Sequence, residues 1–313
     1  MNAANTLHIS PRQAVGKSVV WTLRFTGLVA LYFVLFAAGG GLVAPYLPPG
    51  TAEPGPVPAN TGLLIVCIAS VLVIMLMIHS SRWSGWRLIL SMSIAYYLVV
   101  TFVTQLESWY FLYGITIGPE LMSRLFLQGL PVAFGFVPLA VLIMGRLRPL
   151  PGLQESPELA PVPRKAWIWR LGIIALAYLV LYFSAGYFIA WQNPDVRAFY
   201  GSPGEALPFL QMMRNNFVRD PWLTPYQVLR SLIWTVGAYL IIRGSRLPLW
   251  QTALVVGLAL SVPQNIGHIL PNPLIPIASV RMSHLIETAS STFIFGLIVT
   301  WLLYPKLPTR VVS

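Results

Sequence analysis

VVWTLRFTGLVALYFVLFAAGGGLV, residues 19–43, carries a single charged side chain, Arg24. A helix needs roughly 20 mostly apolar residues to cross the hydrocarbon of a bilayer, so this run is long enough to span one. WIWRLGIIALAYLVLYFSAGYFIAW, residues 167–191, repeats its pattern. Trp21, Arg24, Tyr32 and Gly40 recur at a constant offset as Trp167, Arg170, Tyr178 and Gly186.

Six further runs qualify, at 61–79, 88–107, 121–144, 225–242, 249–269 and 284–304. The expected fold is an all-α polytopic membrane protein of eight transmembrane helices. The bulk composition agrees, with 56% of the 313 residues hydrophobic and 9% charged. The similarity of the two halves extends beyond the first pair of runs. Ser81-Arg82 with Trp86 matches Ser245-Arg246 with Trp250, Gln105 matches Gln264, and Ser123-Arg124-Leu125 matches Ser283-His284-Leu285. This order suggests a tandem 4+4 repeat, and an even number of spans gives both halves the same orientation. The organisation reads as an N-terminal tail 1–18, a first half 19–144, a linker 145–166, a second half 167–304 with a loop at 192–224, and a C-terminal tail 305–313. The repeat also argues that the first apolar run is retained rather than cleaved as a signal peptide.

The basic residues orient the chain. Arg12, Lys17, Arg82, Arg87, Arg146, Arg148, Arg164, Lys165, Arg243, Arg246, Lys306 and Arg310 fall on one side if both termini are cytoplasmic, and 44–60 has no Lys or Arg. That is the positive-inside pattern of a multi-pass cell-membrane protein of bacterial inner-membrane type. Loop 192–224, with Arg197, Arg214 and Arg219, departs from it, as longer loops do. The +11 net charge is therefore read as loop bias rather than as a nucleic-acid footprint. Cys67 is the only cysteine, which excludes an intramolecular disulfide and a thiolate zinc site.

Polar groups gather near the outer helix ends. His284, Glu287, Thr288 and Ser291 follow i, i+3, i+4, i+7 and share one helical face. Arg124 and Gln128 occupy the corresponding positions of the fourth run. The seventh run offers Gln264, Asn265 and His268, the third Gln105 and Glu107, and the sixth Gln227 and Arg230. Arg281 precedes the eighth run. Charges in hydrocarbon face the bundle interior or water, so these groups predict an outward-facing polar cavity between the halves.

Three functions fit such a cavity. The first is binding or transport of a small anionic or lipidic ligand, with Arg124, Arg230 and Arg281 engaging an anionic group. The second is a membrane enzyme acting on a lipid-linked substrate, with His284 and Glu287 as the acid–base pair. That enzyme could be metal-assisted if Glu107, His268, His284 and Glu287 enter one coordination sphere. The third is a structural or assembly subunit in which the charges only pair, for instance Glu287 with Arg124 or Arg281. No motif identifies a reaction, a cofactor or a substrate. In loop 192–224, Ser202-Pro203-Gly204-Glu205 has the spacing of a helix-starting capping box. Phe209, Leu210, Met213 and Phe217 follow at helical spacing, predicting a short amphipathic helix at the outer interface that serves as an interfacial anchor, with a lid over the cavity as the alternative.

Overall fold

The computed structural model describes residues 11–149 and 164–304; the C-terminal tail 305–313, most of the N-terminal tail and most of the linker lie outside the described residues. Ten helices organise the described residues. They are α1 (Pro11–Val43), α2 (Ala59–Ser80), α3 (Gly85–Leu112), α4 (Pro119–Ile143), α5 (Lys165–Ala190), α6 (Pro194–Phe199), α7 (Phe209–Arg219), α8 (Leu223–Gly244), α9 (Leu249–Ile269) and α10 (Ala278–Leu303). No strand occurs among the described residues.

Seven of these helices, α1 to α5, α9 and α10, are long and apolar enough to cross a membrane. The remaining expected span, 225–242, lies within α8, which is 22 residues long and so about 33 Å at the α-helical rise. Gln227, Arg230, Ser231 and Thr235 lower its apolar character, and all four are buried inside the bundle. Apolar side chains face outward on α1 (Leu23, Phe33, Val34) and α5 (Ile168, Leu176, Val180). A face of that kind is stable against acyl chains rather than water.

The core forms where aromatic residues of α1, α4, α5 and α10 meet. Tyr32 meets Phe136 edge-on at 5.2 Å and stacks on Phe36 at 5.9 Å. Tyr178 meets Phe295 edge-on at 4.9 Å and stacks on Tyr182 at 6.4 Å. α9 and α10 pack most extensively, through small residues: a Cβ added to Gly296 would lie 2.7 Å from the Gly257 Cα. Membrane helices commonly approach through such contacts, because dispersion between close backbones replaces the missing hydrophobic drive. Proline explains one irregularity. Pro131 cannot donate within α4, and the helix widens to a π turn over Pro131–Phe136.

At the end of the bundle that carries Arg82, Arg146 and Arg246, two loops lock together. Arg82 N–H donates to the Gly244 carbonyl at 2.7 Å, and Arg246 N–H donates to the Ser80 carbonyl at 2.9 Å. Arg146, 3% exposed, donates to the carbonyls of Ile78, His79, Ser81 and Trp83. Burial and the neighbouring Arg246 push its pKa down, and the ring of carbonyl dipoles compensates its charge.

At the other end the structure departs from the expected helix start. Residues 202–207 are irregular and α7 begins only at Phe209. Gly204 has φ +115°, outside helical geometry, and its carbonyl accepts from Arg197 Nε at 2.7 Å. The capping-box spacing is therefore unused. A different start operates earlier in the loop: Asn193 Oδ1 accepts from Asp195 N–H at 2.9 Å, with Pro194 as the first residue of α6.

Candidate functional site

The polar face of α10 is the spine of the site. His284 and Glu287, one turn apart, bring Nδ1 within 3.0 Å of Oε2. The other ring nitrogen, Nε2, lies 3.1 Å from the Tyr200 hydroxyl, on the residue that follows α6. If Nδ1–H donates to the carboxylate, Nε2 accepts from the phenol, and the three groups form one chain. Burial, with Glu107 and Glu287 nearby, pushes the Tyr200 pKa up, so the phenol stays protonated as a donor. Thr288 Oγ1 is 2.5 Å from both the His284 carbonyl and Asn265 Oδ1, and Asn265 Nδ2 donates to the Ser261 carbonyl at 2.7 Å. These bonds tie the α10 face to α9.

An ion pair stands beside the chain. Arg230 Nη2 donates to Glu107 Oε2 at 2.6 Å and Nη1 donates to Gln227 Oε1 at 2.9 Å. The Arg230 side chain is 4% exposed and that of Glu107 33%, so the pair presents its acidic end. Thr104 Oγ1 donates to Gln264 Oε1 at 3.1 Å, joining α3 to α9.

Three spaces meet at these groups. A cavity of about 360 Å³ lies among α3, α5, α6, α7 and α10. Its walls are aromatic and thioether (Phe111, Tyr182, Phe183, Tyr187, Trp191, Met212, Met213), and Glu107, Asp220, His284 and Glu287 project at its edge. Asp220 accepts from the Tyr110 hydroxyl at 2.7 Å. α7 covers part of the cavity through Met212, Met213 and Asn216, and Phe209 stacks on Phe188 at 5.4 Å. A smaller space of about 80 Å³ lies behind, lined by Glu107, Gln264, Asn265, His268, His284 and Thr288. The third, about 20 Å³, reaches Arg230 and Tyr178.

Nine of the expected residues line these spaces or contact residues that do: Glu107, Gln227, Arg230, Gln264, Asn265, His268, His284, Glu287 and Thr288. The others lie elsewhere. Gln105 and Gln128 line a separate cavity. Arg124 stacks on Tyr46, its guanidinium carbon 3.7 Å from the ring centroid. Arg281 is fully buried and donates to the carbonyls of Ile275, Pro276 and Glu53 at 2.9, 2.8 and 2.6 Å. It clasps the 44–60 loop to the turn before α10.

Two expectations are corrected. Neither Arg124 nor Arg281 pairs with Glu287, whose partner is His284. The expected metal set is likewise not gathered as ligands. Among the described residues no three His, Cys, Asp or Glu side chains converge as metal ligands. Glu107 is drawn to Arg230, and the His268 ring centroid stays 6.3 Å from that of His284.

Tyr200, Tyr110 and Asp220 had no place in the sequence-based site. The Asn-Pro-Asp helix start was a readable signal for α6, but nothing in the sequence paired Tyr200 with a histidine 84 positions away.

Fold and site together define a helical, multi-pass membrane protein with a polar cluster at the edge of an aromatic cavity. No protein-family model matches the chain, and neither a curated protein nor a solved structure matches it.

Proposed function

We propose that this chain binds an amphiphilic, lipid-like molecule in the 360 Å³ cavity, with the ligand's polar head at Tyr200, His284 and Glu287. One observation carries the reading: aromatic and methionine walls converge on a hydrogen-bonded polar chain, which suits an apolar body with a small polar head. The head is neutral or cationic rather than anionic. Glu107, Asp220 and Glu287 line the cavity, no Lys or Arg does, and Arg124 and Arg281 are engaged elsewhere. A purely structural role fits less well, because open space remains beside the paired charges.

The setting we infer is a cell-membrane protein of eight spans in two parallel halves, with α8 as the sixth span and both termini in the cytoplasm. The reciprocal bonds of Arg82 and Arg246, and the matched clusters around Tyr32 and Tyr178, support the repeat. The basic residues at that same end support the orientation.

The test is native mass spectrometry of the purified full chain titrated with dodecanol, dodecylamine and dodecyl phosphate. The phosphate is expected to bind about tenfold more weakly than the other two, and Glu287→Gln to reduce amine binding most. Phosphate binding as tight as amine binding, or insensitivity to Glu287→Gln and His284→Ala alike, would remove the reading.

A second reading rests on the same hydrogen-bond chain. A carboxylate-oriented imidazole touching a phenol is equipped to move a proton, so the bound amphiphile could be a substrate. His284→Gln would then abolish turnover of that amphiphile while binding persists.

A further inference from the structure

A cavity of about 440 Å³ lies on the other side of the α3–α9 contact, between α1, α2, α3, α4 and α9. Tyr32, Phe36 and Gly40 form one wall and Leu125 and Val132 another. None of its lining residues is Asp, Glu, Lys or Arg, yet it is not purely apolar: four amides, Gln105, Gln128, Gln264 and Asn272, line it together with His268. Gln105 is the telling one. It is 6% exposed, and its Oε1 is buried with no hydrogen-bond partner among the described residues. An amide oxygen left unpaired in such a setting costs free energy, and a ligand head that donates a hydrogen bond would recover it.

We infer that this cavity is a second binding site, selective for an uncharged amphiphile whose hydroxyl or amide head meets the Gln105 amide while its hydrocarbon lies along Tyr32, Phe36 and Val132. The site goes beyond the binding function proposed above: it shares Gln264 and His268 with the small space behind the first cavity but includes none of Tyr200, His284 and Glu287. The absence of charge gives the selectivity. A carboxylate or ammonium would enter without a counter-ion and lose its hydration, whereas a hydroxyl exchanges one hydrogen bond for another. The Gln105 and Gln128 amides offer donors and acceptors together, so either uncharged head, alcohol or amide, is satisfied.

The experiment uses the full chain in phosphatidylcholine nanodiscs and a diazirine-tagged monoacylglycerol as photoprobe, with labelled peptides read by mass spectrometry. Label is expected on the inward residues of α1, α3 and α4. Unlabelled mono-oleoylglycerol should compete about tenfold better than oleate or oleylamine, a hydrogen-bond-sized difference. Gly40→Leu should reduce labelling by filling the space; an added Cβ there meets nothing within 4 Å, so the helix is not strained. Gln105→Leu should reduce labelling by the monoacylglycerol but leave that by a tagged hydrocarbon without a head group. Four outcomes overturn the inference: label confined to the outward Phe33 and Val34, label on α5 and α7, equal competition by the charged lipids, or no response to either variant.

Discussion

Around the cavity beside α5, Arg230 pairs with Glu107 and Glu287 with His284. In the repeat reading, the matching positions around the cavity beside α1 are Val66, Ile266, Leu127 and Arg124. Three of the four charged or ionisable side chains have apolar counterparts. The fourth, Arg124, is turned to Tyr46 and lines neither cavity. The walls, by contrast, stay alike: Tyr32, Phe36 and Gly40 on one side, Tyr178, Tyr182 and Gly186 on the other. Wall shape tolerates lipid-like bodies in both places, while charge decides which head each accepts. Duplication followed by loss of charge in one copy would give a single chain two selectivities.

The sharpest way to break this contrast is to strand a charge in the second half. Glu107→Gln leaves Arg230, with its side chain 4% exposed, without a counter-ion. Breaking a buried pair from one side costs about 3–5 kcal/mol, so the melting midpoint in detergent should fall steeply. The double variant Glu107→Gln with Arg230→Met should regain most of that loss. If the single variant is as stable as the parent, the pair does not organise this site.

A smaller effect tests the alignment of the halves. Val66→Arg places a cation where Arg230 sits in the other copy, and alone it should cost about 3 kcal/mol. Ile266→Glu supplies the counterpart of Glu107. If the helices that carry 66 and 266 stand to one another as α8 does to α3, the loss should shrink when both are present. Additive losses in the double variant would show that the two halves are not superposable at this depth.

Hydropathy and helical period made much of this visible in the sequence. His284, Glu287 and Thr288 share a face because their spacing leaves no alternative on a helix. The spans were legible because hydrocarbon demands long apolar runs, and α8 is marginal for the same reason: burying Gln227 and Arg230 inside the bundle removes the need for an apolar sequence. Arg281 shows where the reading stops. A buried arginine satisfied by carbonyls has the same sequence signature as one awaiting an anion, since its partners are backbone groups that any residue supplies. The metal set misled for a related reason. Spacing on one helix says nothing about whether a carboxylate on another is already held, as Glu107 is by Arg230.

Tyr200 provides the mildest perturbation and the one most specific to function. Tyr200→Phe keeps the ring that packs edge-on to His284 at a centroid distance of 5.8 Å and removes only the hydroxyl that reaches Nε2. One hydrogen bond is worth about 1 kcal/mol, so stability should change little. The imidazole, however, loses the partner that fills its second nitrogen, while Glu287 continues to hold the first. A ligand head able to donate would then take the vacated position. Amphiphiles with a donor head should keep or gain affinity in Tyr200→Phe, and those that only accept should lose it. The second cavity, which lacks Tyr200 among its lining residues, should bind as before. A uniform loss of both kinds of head at both cavities would mean that Tyr200 supports the fold and takes no part in recognition.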